Sequence, residues 1–212
     1  MFGVTVAEPK LENILFLMRH GRTVLDSEHR SDGWLDYPLS DEGRIGLMPV
    51  QQYLKSAPIT QVFTNSLRRC AETAHIITSG ILSHPKISIS DETRTWNLGE
   101  MIGGKKKSNK PIVQYYMTHS DQEPHCGESL DTFRQRLLPY IWARMTQLEK
   151  GKGPFLFVTS GSACREISYA LTGDCDTLDL DESGLAMLFT HDGQIHGKVI
   201  FGHKDEDGEW LS

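Results

Sequence analysis

The tripeptide Arg19-His20-Gly21 directly follows the apolar run Ile14-Leu15-Phe16-Leu17-Met18. Imidazole is a nucleophile toward phosphorus, and a neighbouring guanidinium grips phosphate through a two-pronged fork of N–H donors. A short apolar run reads as a buried strand, so the histidine falls at a strand's carboxyl end, where α/β folds gather reactive groups. Other polar clusters are more ordinary. Arg68-Arg69 alone would be a solvated helix face. Lys105-Lys106-Lys107 with Lys110 reads first as a solvated loop, and second as a basic lip that draws in an anionic substrate. His191, His196 and His203 lie in the tail with Asp192, Asp205 and Asp207, but their spacing fits no metal-ligand pattern and predicts surface histidines on turns.

Strand and helix signals alternate along the chain, which predicts a mostly parallel sheet with crossover helices. After the first strand a loop runs from His20 to Leu39. Ser40-Asp41-Glu42 then opens a helix, with acids in its first turn and Pro49 expected to kink it. Gln61 to Thr64 reads as the second strand and Leu67 to Ser79 as a helix stopped by Gly80. Phe133, Leu137, Ile141, Met145 and Leu148 recur at helical spacing within Ser129 to Glu149. Pro154 to Thr159 is a third buried strand with a helix, Ala163 to Leu171, behind it. Ala186 to Thr190 and Lys198 to Gly202 are short strand candidates. Residues 91–128, rich in glycine, lysine and polar groups, read as a lid inserted at one end of the sheet.

The chain of 212 residues fits one domain, 1–212, with a sizeable core. Its apolar fraction of 38% and charged fraction of 24% are those of an ordinary globular protein. No apolar stretch matches a bilayer span, and Met1 to Lys10 lacks the pattern of a signal peptide. Cys70, Cys126, Cys164 and Cys175 form no C-x-x-C pair and read as free thiols, so a cytoplasmic location is expected. The net charge of −6 argues against nucleic-acid partners.

Four segments in order resemble the histidine phosphatase superfamily, the phosphoglycerate mutase-like fold. Arg19-His20-Gly21-Arg22-Thr23 is similar to its R-H-G-x-T signature. The segment from Gly33 through Asp36, Pro38, Leu39 and Ser40 to Gly43 resembles G-x-x-D-x-P-L-[ST]-x-x-G. Asn65 to Ala74 resembles S-x-L-x-R-A-x-x-T-A, in which the spacing to Thr73-Ala74 selects Arg69 over Arg68. Gly127-Glu128-Ser129 with Phe133 and Arg136 resembles G-E-S…F…R. The resemblance implies a three-layer α/β/α fold with a small lid. It also implies a phosphohistidine formed on His20, with Arg19 and Arg69 holding phosphoryl oxygens. Arg22, Thr23, Asp26, Gly33, Glu128 and Gly161 would line the substrate, and neither metal nor cofactor is needed. The implied partner is a small phosphorylated substrate or a phosphoprotein, with no nucleic acid, no membrane and no particular oligomeric state.

The physical logic stands beside the resemblance. A phosphate monoester brings up to two negative charges, so its site must supply fixed positive charge and donors. His20 must be neutral at the attacking nitrogen, its other nitrogen donating to a backbone carbonyl that fixes the tautomer. Two nearby arginines would depress its pKa. Trp34 and Trp96 are candidates for the pocket wall or rim.

The chain departs from the family pattern twice. Ser160, in Phe157-Val158-Thr159-Ser160-Gly161, stands where the family carries a second histidine. Losing such a donor typically lowers the rate by roughly 10²–10³. Thr95 stands where many members place the glutamate of an E-x-x-x-G loop, and a threonine is no general acid near neutral pH. Glu92, Glu100 and Glu128 are the alternative carboxylates. Two readings follow: a phosphatase, attenuated toward poor leaving groups, or a phospho-ligand binding protein of slow or no turnover. A mutase, which needs a phosphorylated resting enzyme and tight acid–base control, fits Thr95 and Ser160 less well.

Overall fold

The computed structural model describes residues 13–173, 180–191 and 194–203. Met1 to Lys10, Cys175, Asp192, Asp205 and Asp207, for which the sequence carries expectations, lie outside them. The apolar run becomes β1 (Ile14–Arg19), buried along its whole length. It is followed by α1 (Val24–Ser27), α2 (Asp41–Gly46), α3 (Met48–Leu54), β2 (Gln61–Thr64), α4 (Arg68–Ser79), β3 (Lys86–Ile89) and α5 (Lys106–Thr118). Then come α6 (Leu130–Glu149), β4 (Phe155–Thr159), α7 (Gly161–Thr172), β5 (Leu180–His191) and β6 (Gln194–His203).

The six strands form one sheet in the order β3-β2-β4-β1-β5-β6. β1 to β4 run parallel to one another, β5 pairs antiparallel with β1, and β6 antiparallel with β5. Strand geometry sends alternate side chains to opposite faces. Leu15, Leu17, Phe155 and Phe157 therefore join one buried cluster with Phe133, Leu137 and Ile141 of α6 and Ile167 of α7. Phe16, Met18, Leu156 and Val158 join the other, with Val50 and Leu54 of α3 and Ala74 and Ile77 of α4. The result is the three-layer α/β/α arrangement expected, with a mostly parallel sheet.

Local chemistry fixes several boundaries. Ser40 caps α2 by accepting from Gly43 N–H, and Ser129 caps α6 by accepting from Thr132 N–H. Pro49 does more than kink a helix. It sits in the first turn of α3, where its missing N–H is tolerated, and the chain breaks into two helices around Leu47. α1, β3 and α5 were not anticipated, and β5 and β6 are longer than the short candidates proposed. β3 is an edge strand only half buried, which blurs its pattern, while α5 carries Pro111 in its interior. β4 lies between β1 and β2 in the sheet. No helix among the described residues is long and apolar enough to cross a membrane.

Gly43 in α2 packs directly on the loop after His20: a Cβ there would lie 2.0 Å from the Arg22 carbonyl oxygen. Gly43→Ala is expected to destabilise the fold by about 1–3 kcal/mol through overpacking against backbone, read from the urea midpoint.

Candidate active site

His20 leaves β1 with its peptide groups tied down on three sides. Its N–H donates to Thr159 O at 2.9 Å, and its carbonyl accepts from Ser183 N–H at 3.0 Å. Gly21 N–H donates to Thr73 Oγ1 at 3.0 Å, and that hydroxyl donates to Arg69 O at 2.7 Å. Ser183 lies where β5 slips out of register with β6, and it takes a positive φ of 67°. Such bulges re-aim side chains at the rims of sheets. Here the bulge carries Glu182 to Arg19.

The His20 ring is buried and its tautomer is set by contact. Nδ1 lies 2.8 Å from Gly21 O, which can only accept, so Nδ1 carries the hydrogen. Nε2 therefore presents a lone pair, and Arg69 Nε–H points at it from 3.1 Å. Burial, then the Arg69 charge and to a lesser degree Arg19, lower the ring's pKa to about 3, with Asp26 working the other way. The ring is neutral across the physiological range. The expected tautomer and the expected depression are both present, with burial the larger cause.

Arg69 belongs to the first turn of α4. The rest of its fork donates to Leu35 O at 3.0 Å and Gly33 O at 2.7 Å. Gly33 adopts φ +48°, and a Cβ there would meet Ile102 at 2.4 Å. Glycine is thus required where the chain turns its carbonyl to the guanidinium.

Arg19 is more committed than expected. It donates to Leu180 O at 3.0 Å and to Glu182 Oε1 at 2.5 Å, and lies 3.9 Å from Asp26. Its Nε is buried with no partner, as is Ser160 Oγ. Ser160 follows the Thr159 that pairs with Arg19, so it stands beside His20 at the same sheet edge, and Gly161 opens α7. Arg22 is half exposed and lies 3.5 Å from Glu182. Burial works against the charge on Glu182, but Arg19 holds its carboxyl below the usual range.

Two carboxyls flank the imidazole. Thr23 caps α1 and forms a reciprocal box with Asp26. Thr23 Oγ1 also lies 2.9 Å from Asp32 Oδ1, so one hydroxyl bridges both acids. The lysine run corrects the solvated-loop expectation in one residue. Lys106 is buried at the start of α5, with Nζ 3.0 Å from Asp26 Oδ1, because the lid helix folds its first turn onto α1. Lys105 and Lys107 remain exposed. Burial opposes the charge on Asp26, yet the His20 ring, Arg19 and Lys106 hold its carboxyl well below the usual range. Asp32 moves the opposite way. Burial and the nearby Asp26 push it up to about 6, against the pull of Arg69, Thr23 and Lys106. Sequence reasoning missed Asp32, Lys106 and Glu182. Only an aspartate placed directly before Gly33 hinted at the first.

The lid residues are largely structural. Thr95 is buried with Oγ1 2.7 Å from Ser162 Oγ, and its carbonyl accepts from Trp34 and Arg136. Glu128 does not face the imidazole's neighbours. Its carboxylate holds Arg136 at 2.6 and 2.9 Å and Asn97 N–H at 2.8 Å, bracing the lid to α6. Glu92 is exposed, and Glu100 is exposed and bonded to His125. Trp96 is a core residue, while Trp34 is a rim residue stacked with Arg94 and Arg136. Among the described residues, His20, Asp26 and Asp32 are the group whose potential metal-binding atoms lie within 4.8 Å of one another. They fit a cation poorly. Arg69 occupies the Nε2 lone pair, Gly21 O takes Nδ1–H, and Lys106 neutralises Asp26.

A family model, the histidine phosphatase superfamily (branch 1), matches residues 15–188. The chain belongs to that superfamily. A 2,3-bisphosphoglycerate-dependent phosphoglycerate mutase 2 from Gloeobacter violaceus is 26% identical over 162 residues, covering 73% of this chain and 73% of its own. A phosphoglycerate mutase from Schizosaccharomyces pombe is 28% identical over 210 residues, covering 94% of each. The solved structure of a mycobacterial glucosyl-3-phosphoglycerate phosphatase has a TM-score of 0.73 at 20% identity, over 91% of this chain and 99% of its own. A phosphoglycerate mutase from Bacillus anthracis scores 0.75 at 20% identity, over 90% and 95%. Those two likenesses show the shared fold.

Asp32 gives this superfamily member a stability signature. A carboxyl raised from 3.8 to about 6 on folding stabilises the fold fully below pH 3.8, and that contribution is lost as pH rises through 6. Asp32→Asn keeps the Thr23 bond and removes the buried charge. Its melting temperature is expected to exceed wild type's at pH 8 and to match it near pH 4, by calorimetry at both values.

Proposed function

We propose that this protein hydrolyses a phosphorylated substrate, a small metabolite or a phosphoprotein, through a phosphohistidine on His20. Superfamily membership supports phosphatase- or mutase-type phosphoryl transfer, since the relatives are phosphoglycerate mutases and a phosphatase. The observation that carries the finer reading is the imidazole itself: buried, neutral, its Nδ1–H bound to Gly21 O and its Nε2 lone pair turned to Arg69. A site that only bound phosphate would gain from a charged histidine. This one keeps the ring uncharged and oriented, which serves attack on phosphorus.

Arg69 re-aims its donors from Gly33 and Leu35 carbonyls to the phosphoryl oxygens as substrate enters. The buried orphan donors, Arg19 Nε and Ser160 Oγ, gain partners in the same event. An unpaired buried donor costs about 1–3 kcal/mol, so an anion relieves a standing penalty. Ser160 supplies a shorter and uncharged donor than the histidine expected from the family pattern, and Thr95 supplies no acid. The lost histidine donor attenuates turnover accordingly.

Two measurements test this. Vanadate binding by calorimetry is expected to weaken roughly 10–100-fold in Arg69→Ala, the loss of charged hydrogen bonds to the oxyanion. A panel of phosphorylated compounds should show turnover that His20→Ala abolishes. Vanadate affinity unchanged in Arg69→Ala, or turnover unchanged in His20→Ala, would overturn the reading. Binding without turnover would favour a phospho-ligand binding protein instead.

A further inference from the structure

We infer that Asp32 is the proton donor to the leaving group, standing in for the acid that Thr95 does not provide. The inference rests on the phosphohistidine reading and assigns its missing proton.

The other carboxylates beside the site, and the alternatives offered by the sequence, are each committed or remote. Glu128 is held by Arg136 and Asn97. Glu182 is held by Arg19 and Arg22. Asp26 is paired with Lys106 and lies near Arg19. Glu100 is 70% exposed with His125 as its partner, and Glu92 is exposed. Asp32 differs on every count. It is 4% exposed, its hydrogen-bond partner is the neutral Thr23 hydroxyl, and among the described residues no lysine or arginine nitrogen reaches ion-pair distance of it.

The position suits proton transfer. A carboxyl oxygen of Asp32 lies within 4.8 Å of both a His20 ring nitrogen and an Asp26 oxygen. An oxygen bonded to a phosphorus that the ring engages falls within hydrogen-bond reach of such a carboxyl. The groups facing Asp32 are Asp26 from α1, Arg69 from α4 and Lys106 from α5, with Thr23 at the cap of α1. Two buried acids bridged by one hydroxyl resist double ionisation, and the cations at ion-pair distance, Lys106 and Arg19, pair with Asp26. The pair's last proton therefore resides on Asp32 up to a pH of about 6.

The step balances. The Nε2 lone pair forms the N–P bond as the P–O bond to the leaving group breaks, and that oxygen takes the Asp32 proton, leaving as an alcohol. The Asp32 carboxylate then takes a proton from water as the water oxygen attacks phosphorus. The N–P bond returns its electron pair to Nε2, inorganic phosphate departs, and Asp32 is protonated again.

The test compares p-nitrophenyl phosphate, whose leaving group needs little protonation, with glycerol phosphate, whose alkoxide needs it. Asp32→Asn is expected to lower kcat/KM roughly 10²–10⁴-fold on glycerol phosphate and less than about tenfold on the aryl ester. Asp32→Glu should recover part of the alkyl activity, and Asp32→Thr, a second variant without a carboxyl, should show the same split as Asp32→Asn. The wild-type profile should fall on the alkaline side near pH 6, and Asp32→Asn should lose that limb. Equal losses on both substrates, no loss on glycerol phosphate, or wild-type turnover confined to the aryl ester would overturn the assignment. His20→Ala is the separate control: activity lost there while Asp32→Asn falls equally on both substrates sinks the Asp32 role alone, whereas activity kept in His20→Ala sinks the phosphohistidine reading.

Discussion

The hydrogen bond from His20 Nδ1 to the Gly21 carbonyl, made inside a buried pocket, is the constraint on which the chemistry depends. It fixes which nitrogen holds the hydrogen, and so which one carries the lone pair. The surrounding burial and the Arg69 charge keep that lone pair free of a second proton. Much of the fold serves this one ring. β4 accepts the His20 N–H, the bulge in β5 donates to its carbonyl, and Thr73 of α4 fastens the next peptide while also gripping the turn that bears Arg69. A parallel sheet edge makes such convergence possible, because neighbouring strands end together and their loops meet.

Around the ring, opposite charges alternate. Arg19 is stitched to Glu182, and Lys106 to Asp26. Breaking either buried pair by removing one partner would strand a charge, so these pairs hold the lid and β5 against the site more than they add net stability. Asp32 is left over from this pairing. In the proposed reading this surplus acid gives the pocket a proton up to about pH 6, and phosphate binding falls to Arg69, with the orphan donors of Arg19 and Ser160 beside it.

The parts of the fold legible in the sequence are those buried on both sides or periodic over many turns. β1 and β4 read as apolar runs because both faces are covered, and α6 because its stripe repeats along its length. β3 was missed since an edge strand exposes half its residues. α5 was missed since Lys105-Lys106-Lys107 and Pro111 look like a loop until the helix is docked. In the site, His20 and Arg69 were found because their neighbours in sequence fix them. Glu182, Lys106 and Asp32 reach the ring only through tertiary contacts with Arg19, Asp26 and Thr23, and no local pattern encodes those. Glu128 shows the converse: its sequence setting pointed to the substrate, but Arg136 takes both of its oxygens.

A covalent phosphoryl group on the imidazole is the species on which the account turns. Rapid quenching during turnover of a radiolabelled activated aryl phosphate, followed by peptide mapping in alkali, detects it directly. The account predicts an acid-labile, alkali-stable label on His20 that appears before phosphate is released. Label on another residue, or turnover with none bound at any time point, would contradict it.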